Sequence, residues 1–254
     1  MSDKSLAIEG KITQRQDLWW VEPLLVALGL GGFVVYATWA ALQGAYYYTA
    51  PYLSPFYSPC LSANCAHVTL PLIGSWWNLS PAILILWMPG GFRVTCYYYR
   101  KAYYRSFFAS PPACAVRDAA RSYTGETRFP FVLQNLHRYF FWLATLVLLF
   151  LWWDAFEAFH FPDGLGVGVG TLVLLANVSF LSLYSFSCHS CRHLCGGHLD
   201  TFHDSPVKYR AWEVVSRLNE HHMLYAWISL IWVALTDLYV RLVAMGVIHD
   251  LRLI

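Results

Sequence analysis

The residues best equipped for chemistry lie together in Cys188-His189-Ser190-Cys191-Arg192-His193-Leu194-Cys195-Gly196-Gly197-His198. Three thiols and three imidazoles in so short a run are the donor set of zinc or of an iron–sulfur centre. Cys188 and Cys191 are three apart, and His189 and His193 four apart, so on a helix each pair shares a side. One short helix rarely surrounds a two-iron cluster alone, and further ligands are expected from elsewhere in the chain. Cys96 and Cys114 are thiols able to supply a missing corner, and His137 and His222 are reserve imidazoles. Cys195 and His198 run into a Gly-Gly turn and rank lower. The plainer alternative is a polar turn with incidental thiols. A thiol–disulfide enzyme using Cys188 and Cys191 would need a strand before them, and none is visible. No His-Glu-x-x-His occurs, which argues against a metalloprotease.

The elements that must position these residues are membrane spans. The 254 residues are 57% hydrophobic and 13% charged, with 12 Trp, 17 Tyr and 16 Phe. Soluble domains carry about 25% charged residues, so the composition predicts an all-α polytopic membrane protein. A net charge of +2 gives no reason to expect a nucleic-acid partner. Residues 1–18 read as a polar tail without a cleavable signal, and 19–254 as one five-span bundle. The spans are expected at about 23–45, 70–92, 135–160, 164–186 and 222–247, each long enough to cross about 30 Å of hydrocarbon. Pro81 and Pro89 should kink the second. The glycines at 164, 166, 168 and 170 read as small-residue helix packing in the fourth. Asp237 and Arg241, four apart in the fifth, can face each other. Residues 46–71, rich in Pro, Ser and Tyr, read as a loop.

Lysine and arginine placement orients the bundle. Lys4, Lys11 and Arg15 lie in the tail, eight Arg and Lys between Arg93 and Arg138, and Arg192, Lys208, Arg210 and Arg217 before the fifth span. The other two loops have none. Positive loops stay in the cytoplasm, so the N-terminus is expected inside and the C-terminus outside. Cys96, Cys114, Cys188, Cys191 and Cys195 then share the cytoplasmic side, where stable disulfides are unusual. Cys60 and Cys65 lie outside and can pair. The middles of the spans lack histidine, which argues against a ladder of b haems. His137 and His222 sit at inner span ends, and His160 and His249 at outer ends, so haem at either end stays open.

Several longer words carry a resemblance. They are Thr95-Cys96-Tyr97-Tyr98-Tyr99-Arg100-Lys101-Ala102-Tyr103-Tyr104-Arg105, Pro111-Pro112-Ala113-Cys114, Gly125-Glu126-Thr127-Arg128-Phe129-Pro130, Leu133-Gln134-Asn135-Leu136-His137-Arg138-Tyr139-Phe140-Phe141, and the 187–197 cluster. In these, over roughly residues 90–245, the chain resembles the single-chain, five-span membrane anchor of succinate dehydrogenase from actinobacteria. The resemblance implies docking of a flavoprotein subunit and an iron–sulfur subunit on the cytoplasmic face of the plasma membrane. It implies electron delivery to a quinone, menaquinone in the first instance, and a Rieske-type [2Fe–2S] cluster in place of haem b. Two thiolates and two imidazoles are the ligand set of such a cluster. Succinate itself would be oxidised on a partner subunit. A zinc-stabilised scaffold, a haem-b anchor and a higher oligomer stay open.

A quinone needs donors to its carbonyl oxygens and an apolar aromatic slot. His137, Arg138 and Tyr139 at the inner end of the third span, with His222 and Tyr225 at that of the fifth, are the candidates. Each has a plainer role available, since Arg, His and Tyr at span ends also anchor headgroups.

Overall fold

The computed structural model describes residues 15–67, 70–119, 125–197, 199–201, 203 and 205–254. Lys4, Lys11 and most of the expected tail, Arg121 and His198 lie outside the described residues.

The architecture is all-α and polytopic. Four helices are long and apolar enough to span a bilayer. These are α1 (Val21–Gln43), α4 (His137–Glu157), α5 (Val169–Phe186) and α8 (His222–Ala244), with α2 (Ile83–Thr95) shorter and also apolar. Between them lie α3 (Tyr97–Phe107), α6 (His189–Gly196) and α7 (Pro206–Glu220), which carry the polar composition of the basic loops. Large apolar side chains such as Leu25, Val35, Leu149 and Trp153 point outward, as hydrocarbon solvent allows. Gly44 ends α1 in the left-handed region at φ 61°, where a side chain would be strained.

The second span differs from its expected 70–92. Its helix starts only at Ile83 and its 13 residues cover about 20 Å, short of a bilayer core. Pro71, Gly74, Asn78 and Pro81 deny the preceding stretch a continuous ladder. The missing depth is filled by the 46–82 segment, of which residues 51–62 fold into the bundle while most of 70–80 stays exposed. It contains the hairpin β1 (Tyr48–Thr49) and β2 (Tyr52–Leu53), and Tyr47, Tyr52, Phe56 and Tyr57 are buried. Tyr47 and Tyr57 stack at 4.1 Å. Irregular backbone at membrane depth is tolerated when protein covers it, and the absence of charge from residues 44–92 is what makes that burial affordable. Cys60 and Cys65 form a disulfide in this segment.

The glycine run also differs from its reading as helix packing. Gly164 belongs to β4 (Gly164–Leu165), paired with β3 (His160–Phe161), and Gly168 caps α5 from outside. Only Gly170 lies inside the helix, and there a Cβ would meet the Tyr52 ring at 2.5 Å. Gly170→Val is expected to destabilise the purified complex by about 1–3 kcal/mol through overpacking. A thermal-unfolding midpoint unchanged by that substitution would contradict the contact.

Asp237 and Arg241 meet as expected, at 2.7 Å and fully buried. Their network joins α8 to the end of α1 and to the folded-in loop. Tyr36 and Ser54 donate to Asp237, and Arg241 donates to Gln43 and to the carbonyls of Ala40 and Ala45.

Candidate functional site

Two chain reversals build the site. α2 ends in Thr95, and Cys96 then takes an extended conformation as the cap of α3. α5 is followed by Ser187, and Cys188 takes the same extended conformation as the cap of α6. Each half therefore presents a hydroxyl–cysteine pair where a membrane helix turns into a surface helix. Each half also starts a membrane helix with a histidine, His137 opening α4 and His222 opening α8.

The four reactive side chains cross over. His137 Nε2 lies 3.0 Å from Cys188 Sγ, and His222 Nε2 lies 3.4 Å from Cys96 Sγ. The other nitrogen of each ring meets the hydroxyl of its own half, His137 Nδ1 at 2.9 Å from Thr95 Oγ1 and His222 Nδ1 at 2.7 Å from Ser187 Oγ. The hydroxyl protons are already committed, Thr95 donating to the Gly91 carbonyl and Ser187 to that of Tyr184. With Nδ1–H donating to each hydroxyl, an Nε2 lone pair faces a thiol in each case, the arrangement of a neutral metal-ligating imidazole with its second nitrogen held by an oxygen.

Aromatic rings tie the two halves together. Phe92 stacks on His137 at 4.9 Å, Tyr184 stacks on His222 at 5.1 Å, and the two rings are 5.3 Å apart. Cys96 and Cys188 are buried in the same core cluster as Phe92, Tyr99 and Tyr184. Burial pushes the Cys188 thiol up to about 12, so the bare thiol is a poor nucleophile. Arg93 lies 4.6 Å over the Tyr184 ring and donates to Tyr99 and Ser229.

A family model described as actinobacterial succinate dehydrogenase subunit SdhC matches residues 21–246. The chain belongs to this family. A chain of the Mycobacterium smegmatis Sdh1 complex in its apo form is 50% identical, with a TM-score of 0.91, covering 100% of this chain and 98% of that one. No curated protein matches. This SdhC-family chain is a membrane anchor subunit of succinate dehydrogenase, and succinate oxidation takes place on another subunit.

The remaining candidates in this SdhC-family anchor scatter. His189 opens α6 and is exposed. His193 bonds to Arg138 at 3.2 Å. Cys191 is half-buried against the core, and burial, with Cys195 beside it, pushes its thiol up to about 11. Cys114 is exposed, its carbonyl accepting from Arg15. Tyr139 is 67% exposed and Tyr225 half-buried beside His221, so the five expected quinone residues do not line one slot. Sequence reasoning missed Thr95, Ser187, Phe92, Tyr184 and Arg93. The one signal for the first two was a hydroxyl residue directly before a cysteine, occurring twice at the end of an apolar run.

The resemblance words have structural work of their own. Arg100 pairs with Glu126 at 2.8 Å and donates to Gln134, which donates in turn to Tyr103 and Tyr104. These contacts hold α3 against the 125–136 segment. Asn219 of α7 donates to the Ser187 carbonyl, fixing the second hydroxyl–cysteine turn.

An apolar slot of about 170 Å³ adjoins the ring stack, lined by Phe56, Leu86, Phe92, Arg93, Tyr184 and Ser185 among others. The Tyr184 hydroxyl is buried and has no hydrogen-bond partner within the structure.

Proposed function

We propose that this anchor carries electrons from the flavoprotein and iron–sulfur subunits to a membrane quinone, with a Rieske-type [2Fe–2S] cluster held by Cys96, Cys188, His137 and His222. The supporting observation is the pair of buried thiols, each facing the unprotonated nitrogen of an imidazole whose other nitrogen is already bound. A cluster with this ligand set supplies one-electron transfer at a potential above that of an all-cysteine cluster. The assignment replaces the sequence-based set. It keeps Cys96 and Cys188, brings in the reserve imidazoles, and releases His189, Cys191, His193 and Cys114.

Thr95 and Ser187 hold the imidazoles in the ligating tautomer and orientation. Burial opposes a bare thiolate at Cys188, and a metal taking the place of its proton would relieve that cost. That argues against a thiol–disulfide enzyme. Among the described residues no three His, Cys, Asp or Glu side chains group tightly enough for a single metal ion. Two thiols and two imidazoles drawn from both halves match in kind and number the ligand set of a Rieske centre, two Cys on one iron and two His on the other. Phe92 and Tyr184 occupy the interval between the imidazoles, which leaves no space for a haem macrocycle, and a pyridine haemochrome assay of the complex should show no haem b. A stoichiometric haemochrome would overturn this reading.

The apolar slot beside the stack is the candidate seat for the quinone head group, with Tyr184 on its wall and the Tyr184 hydroxyl unpartnered. Menaquinone is the expected quinone. Tyr184→Phe should lower kcat/KM for quinone about tenfold, the loss of roughly one hydrogen bond. The cluster's EPR signal and the reduction of an artificial dye by the flavin should stay as in the wild type. Unchanged quinone kinetics would remove Tyr184 from the site.

The Lys/Arg pattern supports a cytoplasmic position for this end of the bundle, facing the soluble subunits at the plasma membrane. A reporter fused after Ile254 should be active only when exported. Cytoplasmic activity of that fusion would contradict the five-crossing topology.

A further inference from the structure

Arg93 lies in the last turn of α2, three residues before Cys96. A basic residue at the end of a span ordinarily reaches for a lipid headgroup. Arg93 turns inward instead. Its guanidinium donates to the Tyr99 hydroxyl at 2.5 Å, to Ser229 Oγ at 3.1 Å and to the Ala226 carbonyl at 3.4 Å. Ala226 and Ser229 belong to α8, and Ala226 is one helical turn from His222. The guanidinium also lies 4.6 Å over the Tyr184 ring, which stacks on His222 at 5.1 Å. The charge is therefore at most about 10 Å from the His222 imidazole.

Every acceptor of this half-buried cation is neutral. Two other arginines withdrawn from solvent have carboxylates, Arg100 with Glu126 at 2.8 Å and Arg241 with Asp237 at 2.7 Å. Among the described residues no carboxylate forms an ion pair with Arg93. A cation taken out of water without a counter-charge is unfavourable, and an anion arriving nearby relieves it. The centre proposed above is such an anion in one oxidation state. Two ferric ions, two sulfides, two thiolates and two neutral imidazoles carry no net charge. One electron from the iron–sulfur subunit leaves a single negative charge there until it passes to the quinone. Net charge at the cluster is one of the determinants of its potential.

We infer that Arg93 is the fixed counter-charge of the reduced centre, a positioning residue that raises its potential and so favours the electron's arrival. The inference rests on the cluster assignment and adds to it the residue that sets the potential. The guanidinium keeps its proton at any working pH, so this compensation needs no proton uptake. Tyr99, Ser229 and the Ala226 carbonyl hold the charge in place between the turn that carries Cys96 and the turn that carries His222.

An EPR-monitored redox titration of the purified complex, without added quinone, tests this. A unit charge at such a separation shifts the oxidised–reduced equilibrium about tenfold at the effective dielectric of a protein, which is about 59 mV for one electron. Arg93→Gln should lower the midpoint of the low-g signal by that amount and keep its amplitude. Arg93→Lys, which keeps the charge, should hold the equilibrium within about threefold of wild type. Ser229→Asp leaves α2 untouched and lays a carboxylate on the guanidinium, so it should lower the midpoint about as far as Arg93→Gln. An unshifted midpoint in Arg93→Gln overturns the inference. So does an Arg93→Lys midpoint as low as that of Arg93→Gln, since hydrogen bonding and not charge would then be responsible. If Arg93→Gln does not assemble, Ser229→Asp decides, and an unshifted midpoint there overturns the inference. Failure of both to assemble makes Arg93 a structural prop and overturns it equally. A wild-type complex without a low-g signal defeats the cluster assignment and the inference with it, whereas an unshifted midpoint leaves the assignment standing.

Discussion

Cys188→Ser in the purified complex is expected to remove the cluster's iron and its low-g EPR signal, and to lower succinate:quinone turnover at least about 100-fold. Loss of an outer partner of a metal ligand alone costs roughly 10–100-fold, and loss of a ligand exceeds that. Cys96→Ser should behave alike, because the two thiols are buried in one core cluster, each opposite an imidazole nitrogen. Flavin-dependent reduction of an artificial dye should persist in both, since succinate is oxidised on another subunit. Cys191→Ser should keep the signal, because Cys191 is half-buried on α6 beside Cys195 and is not one of the four proposed ligands. Thr95→Ala and Ser187→Ala should fall between, at roughly 10–100-fold, by freeing the imidazole tautomers. Loss of the signal in Cys191→Ser with retention in Cys188→Ser would return the ligands to the face of α6.

The second large effect concerns the buried ion pair. Arg241→Met should destabilise the complex by about 3–5 kcal/mol, the cost of stranding a buried charge. Asp237 would keep only Tyr36 and Ser54 as donors, and the carbonyls of Ala40 and Ala45 would lose theirs. The thermal midpoint should drop by roughly 6–15 °C for a chain of this size, with the low-g signal intact in the surviving protein. Replacing both residues by leucine should recover part of the loss, because an apolar pair leaves no uncompensated charge. A drop under about 2 °C for Arg241→Met would mean that the network carries little of the stability of the outer half.

What the sequence made legible follows from what the membrane forces. A bilayer permits few spanning structures, so apolar runs and basic loops predict the all-α architecture directly. The Asp237–Arg241 contact was legible because helical spacing alone determines it. The second span was misjudged because hydropathy registers apolar content and not helical continuity. Residues 70–82 are apolar, yet their prolines and Asn78 keep them irregular.

The ligand set was only half legible, for a related reason. The density of Cys and His in 188–198 is a local signal and points to the turn where Cys188, one of the proposed ligands, caps α6. A site enclosed by protein draws one group from each of several helix ends, and His137 and His222 lie outside the 188–198 cluster. His189 is exposed at the start of α6, and His193 bonds to Arg138 rather than to a thiol. Tyr184 was invisible as a functional residue because one more tyrosine in a chain with 17 of them carries no pattern.

The central claim is that imidazoles of α4 and α8, with thiols from the ends of α2 and α5, hold one redox centre. Nitrogen hyperfine spectroscopy of the reduced complex tests this most directly. The prediction is a low-g signal coupled to two imidazole nitrogens, with one coupling lost in His137→Cys and the other in His222→Cys, where the cluster survives. A signal without nitrogen coupling, or a complex holding zinc and no iron beyond that of its soluble subunits, would contradict it.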